Sequence, residues 1–284
     1  MVAIFSVRGM VMKKALWLGL IALSLWGVEG FNGKSTLLIL PSPSGTMVLA
    51  DRNISVVPHP THPTKGLAII PIDYEAPLGE RKLTWVNPAG TVEMNVMVKQ
   101  GVYPTETLTV EPSKVTPPPE ALARIASEKA QAEAIFAHVT PTRYWDKPFI
   151  RPLDSAITSV YGAARLYNGT LKNYHSGVDL RARTPIPILA VNDGVVVLTQ
   201  ERYYCGNTII IDHGEGMYTS YLHLSRFDVH VGDRVRRGQP IALSGATGRV
   251  NAPHLHFGMT VQGIKSDPLD LITQINTLFT KEPQ

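Results

Sequence analysis

From residue 35 to about 112 the apolar residues come in short runs, at 37–40, 54–57, 67–70, 83–86 and 92–98, broken by Pro and Gly. In the last run Val92, Met94, Val96 and Val98 alternate with Glu93, Asn95 and Lys99. That period of two predicts a strand with one face in a core. Several such strands separated by turns predict a small β-sandwich. Pro117, Pro118 and Pro119 stop the pattern, and residues 120–139 then turn rich in Ala, Glu and Lys. Leu122, Ile125, Phe136 and Val139 fall near helical spacing there, predicting a helix after a proline hinge. Its Ala-rich face is too weakly apolar to bury alone, so it should dock on a neighbour. From about 146 onward the runs at 157–160, 188–191, 194–199, 208–211, 217–222, 241–244 and 255–260 predict strands again, closed by a short helix near 269–279. The expectation is a mainly β chain: a small N-terminal β-sandwich (31–115), a hinge and connecting helix (116–145), and a compact antiparallel β domain (146–284).

The first thirty residues follow different rules. Lys13 and Lys14 precede an uncharged, mostly apolar run from Ala15 to Val28, and Gly30 offers a small-residue cleavage point. This is the layout of an export signal over residues 1–30. The run falls short of the roughly 20 residues a spanning helix needs, so no stable transmembrane span is expected. No cysteine follows it, which excludes a lipid anchor there, and Met12 is an alternative start. The working protein is expected to be periplasmic or secreted.

Composition narrows the chemistry. Of 284 residues 44% are apolar and 18% charged, which excludes a wholly disordered chain. The formal net charge of +4 falls to +2 once residues 1–30, with three of the 27 positive and one of the 23 negative charges, are set aside. That balance gives no case for nucleic acid. The single cysteine, Cys205, excludes an internal disulfide framework and any thiolate zinc site needing two cysteines. It reads as a small packed or partly exposed residue.

Nine histidines remain, five of them between 213 and 256. His254 and His256 lie two apart, on one face of a predicted strand, with Leu255 and Phe257 turned to the core. Such a pair can offer one imidazole to a metal and keep the other beside it. His175 and Asp179 lie four apart, and Gly177 and Val178 argue against a helix, so a strand or a turn running into one brings them together. Two neutral imidazoles and one carboxylate leave a zinc ion one net positive charge and an open position for water, the pattern of catalytic sites. His223 sits on a predicted strand, on the face of Tyr221, a poor place for an imidazole without a partner. His213, in Asp-His-Gly where a turn is due, reads as structural, and His59 and His62 read as surface loop residues. Tyr161, Tyr203 and Tyr204 are candidates to line a groove.

His175 to Asp179, His223 and His254 to His256, in this order, resemble the lysostaphin/LytM-type peptidases, the M23 family of zinc metallopeptidases. Ser159-Val-Tyr-Gly162, Gly206 with Asn207, Asp212-His-Gly214, Tyr221-Leu-His-Leu-Ser225, and Gly245-Ala-Thr-Gly248 leading to Pro253 extend the resemblance over about residues 150–272. It implies one zinc per chain on His175, Asp179 and His256, with no other cofactor. His223 and His254 would be the catalytic pair, one the general base and the other the stabiliser of the developing oxyanion, in an order left open. It also implies peptidoglycan peptide stems as substrate, cut at D-Ala–diaminopimelate links by a D,D-endopeptidase, in wall remodelling or cell-shape control. Wall-synthesis or cell-shape proteins are the partners to expect. A glycine-bridge endopeptidase, a catalytically silent regulator of other wall hydrolases, and a binding module with structural zinc are the alternatives. After Asp179 the sequence departs from the family pattern, with Arg183 and Pro185 where a glycine-containing turn is usual, and Ala164 replaces one arginine while Arg165 is kept. Residues 31–145 are a candidate cover for the site.

Overall fold

The computed structural model describes residues 27–108, 117–167, 169–183 and 185–280. Most of the export segment expected at the N-terminus lies outside the described residues. Residues 27–30 do not, and Val28, Glu29 and Gly30 open strand β1 (Val28–Phe31), which pairs in parallel with β7. Cleavage at Gly30 would divide that strand.

Seven strands form the first unit: β1, β2 (Ser35–Leu40), β3 (Thr46–Leu49), β4 (Arg52–Pro58), β5 (Gly66–Pro71), β6 (Gly79–Asn87) and β7 (Gly90–Lys99), in the order β1-β7-β6-β3-β4-β5-β2. Its two layers are continuous through β4, whose first half pairs with β3 and second half with β5. The core between them holds Leu38, Leu40, Met47, Ile54, Ala68, Ile70, Leu83, Val96 and Val98. In β7 the predicted alternation holds, with Val96 and Val98 buried and Glu93, Asn95 and Met97 exposed.

Strand β8 (Thr105–Leu108) leaves this unit and pairs in parallel with β10 (Ala164–Tyr167) of the second. Helix α1 (Pro119–Ala137) follows, then β9 (Ile157–Ser159), β10 and its hairpin partner β11 (Thr170–Tyr174). After these come β12 (Val178–Arg181), β13 (Pro187–Leu189), β14 (Gly194–Arg202), β15 (Gly206–Asp212), β16 (Met217–Phe227), β17 (Arg234–Val235), β18 (Pro240–Ser244), β19 (His254–Val261), β20 (Ile264–Ser266) and α2 (Pro268–Thr277). The main path runs β17-β14-β15-β16-β19-β12-β9, with every pairing antiparallel. The chain is thus mainly β, as its pattern predicts.

The two units meet in a second core to which both contribute. Strand β5 is buried along its whole length and β2 nearly so. While Leu38 and Ala68 face the first core, Leu37, Leu67 and Ile69 join the second, with Met217, Met259, Val261, Leu271 and Ile275. Ser35 Oγ donates to Ser266 Oγ, and Lys34 pairs with Asp270 at 2.9 Å across the junction. Tyr74 stacks on Tyr174 with ring centres 3.9 Å apart.

Helix α1 docks as expected, but by only part of the apolar set that predicted it. Leu122 and Val139 are exposed, and Ala121 and Glu128 are the buried residues of the helix. Glu128 Oε2 accepts from the Tyr203 amide at 2.9 Å, its Oε1 accepts from Arg124 at 2.7 Å, and its carbonyl accepts from buried Arg202. Phe136 packs edge-on against Tyr218. A buried carboxylate with every partner supplied thus does what the weak stripe cannot. Among the described residues no helix is long and apolar enough to cross a membrane.

Candidate metal centre

Three adjacent strands carry the site. In β19 Leu255, Phe257, Met259 and Val261 face the core, so His254 and His256 stand on the opposite face. Antiparallel pairing sets Asp179 of β12 opposite His256 and Arg181 opposite His254, while Leu222 of β16 flanks His256 on the other side. The first unit packs against the core face, behind the sheet from these histidines.

His175 reaches the same spot from just before β12. Its Nε2 lies 2.9 Å from both Asp179 Oδ1 and His256 Nδ1, and those two atoms are also 2.9 Å apart. His175 and Asp179 are buried and His256 nearly so. Gly177 makes this approach feasible: a Cβ there would lie 2.6 Å from His256 Nε2 and 2.5 Å from the Phe257 carbonyl oxygen. The His175 tautomer follows from its other nitrogen. Nδ1 is 2.9 Å from the Val160 carbonyl oxygen, which can only accept, so Nδ1 carries the proton and Nε2 offers a lone pair. Asp179 Oδ2 accepts from Arg165 Nη2 at 2.9 Å, leaving Oδ1 turned to the histidines. Burial pushes the Asp179 carboxyl up, but the two histidines packed against it outweigh that push and hold it well below the usual carboxylate range. His256 is pushed down to about 4 by burial.

His223 corrects the sequence reading. It does not share a face with Tyr221, because the ladder slips between β15 and β16 and His223 takes φ +65°. Tyr221 and Leu224, three residues apart, both reach the core. The left-handed residue between them swings its imidazole to the other side, 4.9 Å from the His254 ring and 6.2 Å from the His256 ring, centre to centre. A single bulge thus moves a residue across the sheet. His223 Nδ1 donates to the Thr247 carbonyl at 2.9 Å, and His254 Nδ1 donates to the Ala252 carbonyl at 2.8 Å. Both rings therefore keep Nε2 as the acceptor. Burial, aided by the neighbouring His256 and His254, pushes the His223 pKa down to about 3, so it stays neutral. The loop holding Thr247 is fixed by a close approach at Gly206, where a Cβ would meet Thr247 Oγ1 at 2.3 Å.

The remaining candidates separate cleanly. His213 is fully buried, donates from Nδ1 to the Asp193 carbonyl at 2.7 Å and meets Thr219 Oγ1 at 2.8 Å, remote from the cluster. His59 is not a surface residue: it is buried, and its Nδ1 accepts from the amides of Thr61 and His62 at 3.2 Å. A local turn that satisfies the ring is the reason. Tyr161 is buried in the core with its hydroxyl on the Lys265 carbonyl, so it does not line a groove. Tyr203 and Tyr204 remain partly exposed, their rings 5.0 Å apart. Ser159 stands on His175 and Arg165 on Asp179, a placement that the spacing of histidines could not reveal, although both fall in segments the sequence resemblance already covers. Of residues 31–145, Glu106 reaches this cluster, among the described residues, by hydrogen bonds to Ser159.

Residues 173–268 match peptidase family M23. The peptidoglycan DD-endopeptidase ShyA of Vibrio cholerae is 44% identical over 115 residues, covering 39% of this chain and 27% of that protein. The glycyl-glycine endopeptidase ALE-1 of Staphylococcus capitis is 45% identical over 85 residues, 29% of this chain and 24% of that protein. The chain thus spans only about a quarter of the length of these relatives. A Pseudomonas aeruginosa crystal structure described as a peptidase M23 superposes with a TM-score of 0.69 at 25% identity, covering 85% of this chain and 94% of that one. Coverage that broad takes in the N-terminal strands as well. The order of the histidine motifs, the fold around them and the match over residues 173–268 agree, and the chain therefore carries a domain of peptidase family M23.

Proposed function

We propose that this protein is a zinc-dependent peptidoglycan endopeptidase, holding one zinc on His175, Asp179 and His256. The observation that carries the reading is the meeting of three potential ligand atoms, two imidazole nitrogens and a carboxylate oxygen, each 2.9 Å from the other two. Without a cation, Asp179 Oδ1 and the His175 Nε2 lone pair would repel; with one, all three are satisfied. Two neutral imidazoles and a carboxylate suit zinc and leave it short of four protein ligands. A zinc ion held there supplies Lewis acidity to a scissile carbonyl and to an attacking water. His175 is fixed in the ligating tautomer by Val160, and Arg165 holds Asp179 in place. His223 and His254 face the same space with Nδ1 of each on a backbone carbonyl, so Nε2 of one can take the proton of the attacking water. The other can donate a hydrogen bond once protonated, to the developing negative oxygen or to the leaving amine.

The presence of all five side chains argues against a silent regulator. The names of the relatives support peptide cross-links of the cell wall as substrate, and the bond we propose is the D-Ala–diaminopimelate link. Such a substrate lies outside the cytoplasm, in keeping with the apolar N-terminal segment. The test is digestion of purified cross-linked peptidoglycan, with and without chelator and added zinc, with products identified by mass spectrometry. Conversion of cross-linked dimers to monomers, lost in His223→Ala, is expected. Cleavage confined to glycine bridges would reassign the substrate, and no zinc-dependent cleavage would sink the enzyme reading.

A further inference from the structure

The environment of His175 does not end within the matched segment. Its Nδ1–H is shared between the Val160 carbonyl and Ser159 Oγ, each at 2.9 Å. Ser159 Oγ lies 2.8 and 2.9 Å from the two carboxylate oxygens of Glu106, and 3.2 Å from Arg165 Nη2. Hydrogen counting settles the directions. Ser159 has one proton and two lone pairs, a carboxylate only accepts and a guanidinium only donates. The Ser159 proton therefore goes to Glu106, and its lone pairs receive Arg165 Nη2–H and His175 Nδ1–H. Glu106 also stands 3.5 Å from Arg165 Nε, while Arg165 Nη2 is on Asp179 Oδ2. Charges alternate along this chain of contacts: Glu106, Arg165, Asp179. Glu106 is thus separated by a single intervening side chain from His175 and from Asp179.

Glu106 belongs to β8, which lies before helix α1 and is held to the domain by parallel pairing with β10, with Glu106 opposite Arg165. No sequence spacing connects it to the histidine motifs, and it falls outside residues 173–268.

We propose that Glu106 is a positioning residue of the metal centre, contributed by the strand that links the two units. It forces Ser159 to act as acceptor for His175 and holds Arg165 on Asp179, so that both ligands are preset before the ion arrives. Outer partners of metal ligands contribute about 10–100-fold to affinity. Without Glu106 the Ser159 hydroxyl is free to turn its proton toward His175 and oppose the ligating tautomer. The inference rests on the metal-centre reading above, and the test separates the two.

The full-length protein is stripped of metal, and zinc affinity is measured by competition with a chromogenic chelator for wild type, Glu106→Ala, Glu106→Gln, Ser159→Ala and the Glu106→Ala/Ser159→Ala pair. Zinc affinity is expected to fall at least about tenfold in Glu106→Ala. Glu106→Gln keeps the shape, but its amide can donate to Ser159, so it should weaken binding too. With Ser159 already removed, Glu106→Ala should cost clearly less than it does alone, a coupling that a general loss of folding would not produce. Thermal unfolding of the metal-free forms keeps the comparison sound, and Glu106→Gln carries the test if Glu106→Ala does not fold. Zinc affinities within twofold of wild type for both Glu106 variants, or strict additivity with Ser159→Ala, would overturn the inference while leaving the metal centre standing. A wild-type protein that binds no zinc would overturn the metal centre itself.

Discussion

Gly177→Ala tests the geometry of the site with a single methyl group. Gly177 is not at a positive φ, so alanine meets no backbone penalty and would even reduce the freedom of the unfolded chain. Any loss must come from the space the methyl enters. It would lie 2.5 Å from the Phe257 carbonyl oxygen and 2.6 Å from His256 Nε2, where ordinary contact begins at 3.4 Å. The Phe257 backbone is held on both sides, by Val178 of β12 and Tyr221 of β16, so the His256 ring is the softer neighbour. That ring must retreat by roughly 0.8 Å, several times the ±0.2 Å that metal–ligand distances tolerate. The expected result is a fall in zinc affinity of about 10–100-fold, the range for disturbed ligand positioning. The metal-free protein should lose about 1–3 kcal/mol, the usual effect of overpacking. Chelator competition reads the first and urea unfolding of the metal-free protein the second. A variant with zinc affinity within twofold of wild type and unchanged stability would refute the packing argument, since it would mean His256 does not sit where Gly177 leaves room.

Two further expectations concern parts of the molecule away from the proposed metal centre. Burial pushes His213 from 6.5 down to about 4, so the unfolded chain takes up a proton below pH 6.5 that the folded one refuses until about pH 4. Stability should therefore fall as pH drops through that window, by about 3 kcal/mol from this residue; a His213→Gln variant whose stability falls as steeply would contradict the assignment. Glu128→Ala removes the acceptor for Arg124 and the Tyr203 amide, and should destabilise the full chain by about 1–3 kcal/mol in urea unfolding; a change below about 0.5 kcal/mol would mean α1 is held by other contacts.

How much of this was legible in the sequence differs by element. The β7 alternation announces its buried face, because a strand side chain's direction depends only on parity. The same parity places His254 and His256 together, and the motif order resembles a known family before any fold is drawn. It fails at His223, where one left-handed residue resets the parity and sends the imidazole from the core side to the site. The slip arises from pairing with β15, a relation between segments that local pattern does not contain. The α1 helix was legible as a helix, but its anchor is Glu128, a residue that looks solvent-facing until Tyr203 and Arg202 supply its partners. His59 reads as exposed for the same reason, since its acceptor role depends on how the next three residues turn.

What the sequence determines by itself is therefore local: strand faces, the helix and its proline start, the apolar N-terminal segment, and the set of side chains able to bind zinc. The tertiary structure decides which lone pairs converge, that Arg165 and Ser159 stand behind the ligands, and that Glu106 reaches them from outside the peptidase segment. It also decides that β2 and β5 are buried on both faces, tying the first unit to the second. The physical reason is that periodicity fixes only the side of an element a residue occupies. Distances between elements follow from register, bulges and packing, which come from contacts between residues far apart in the chain.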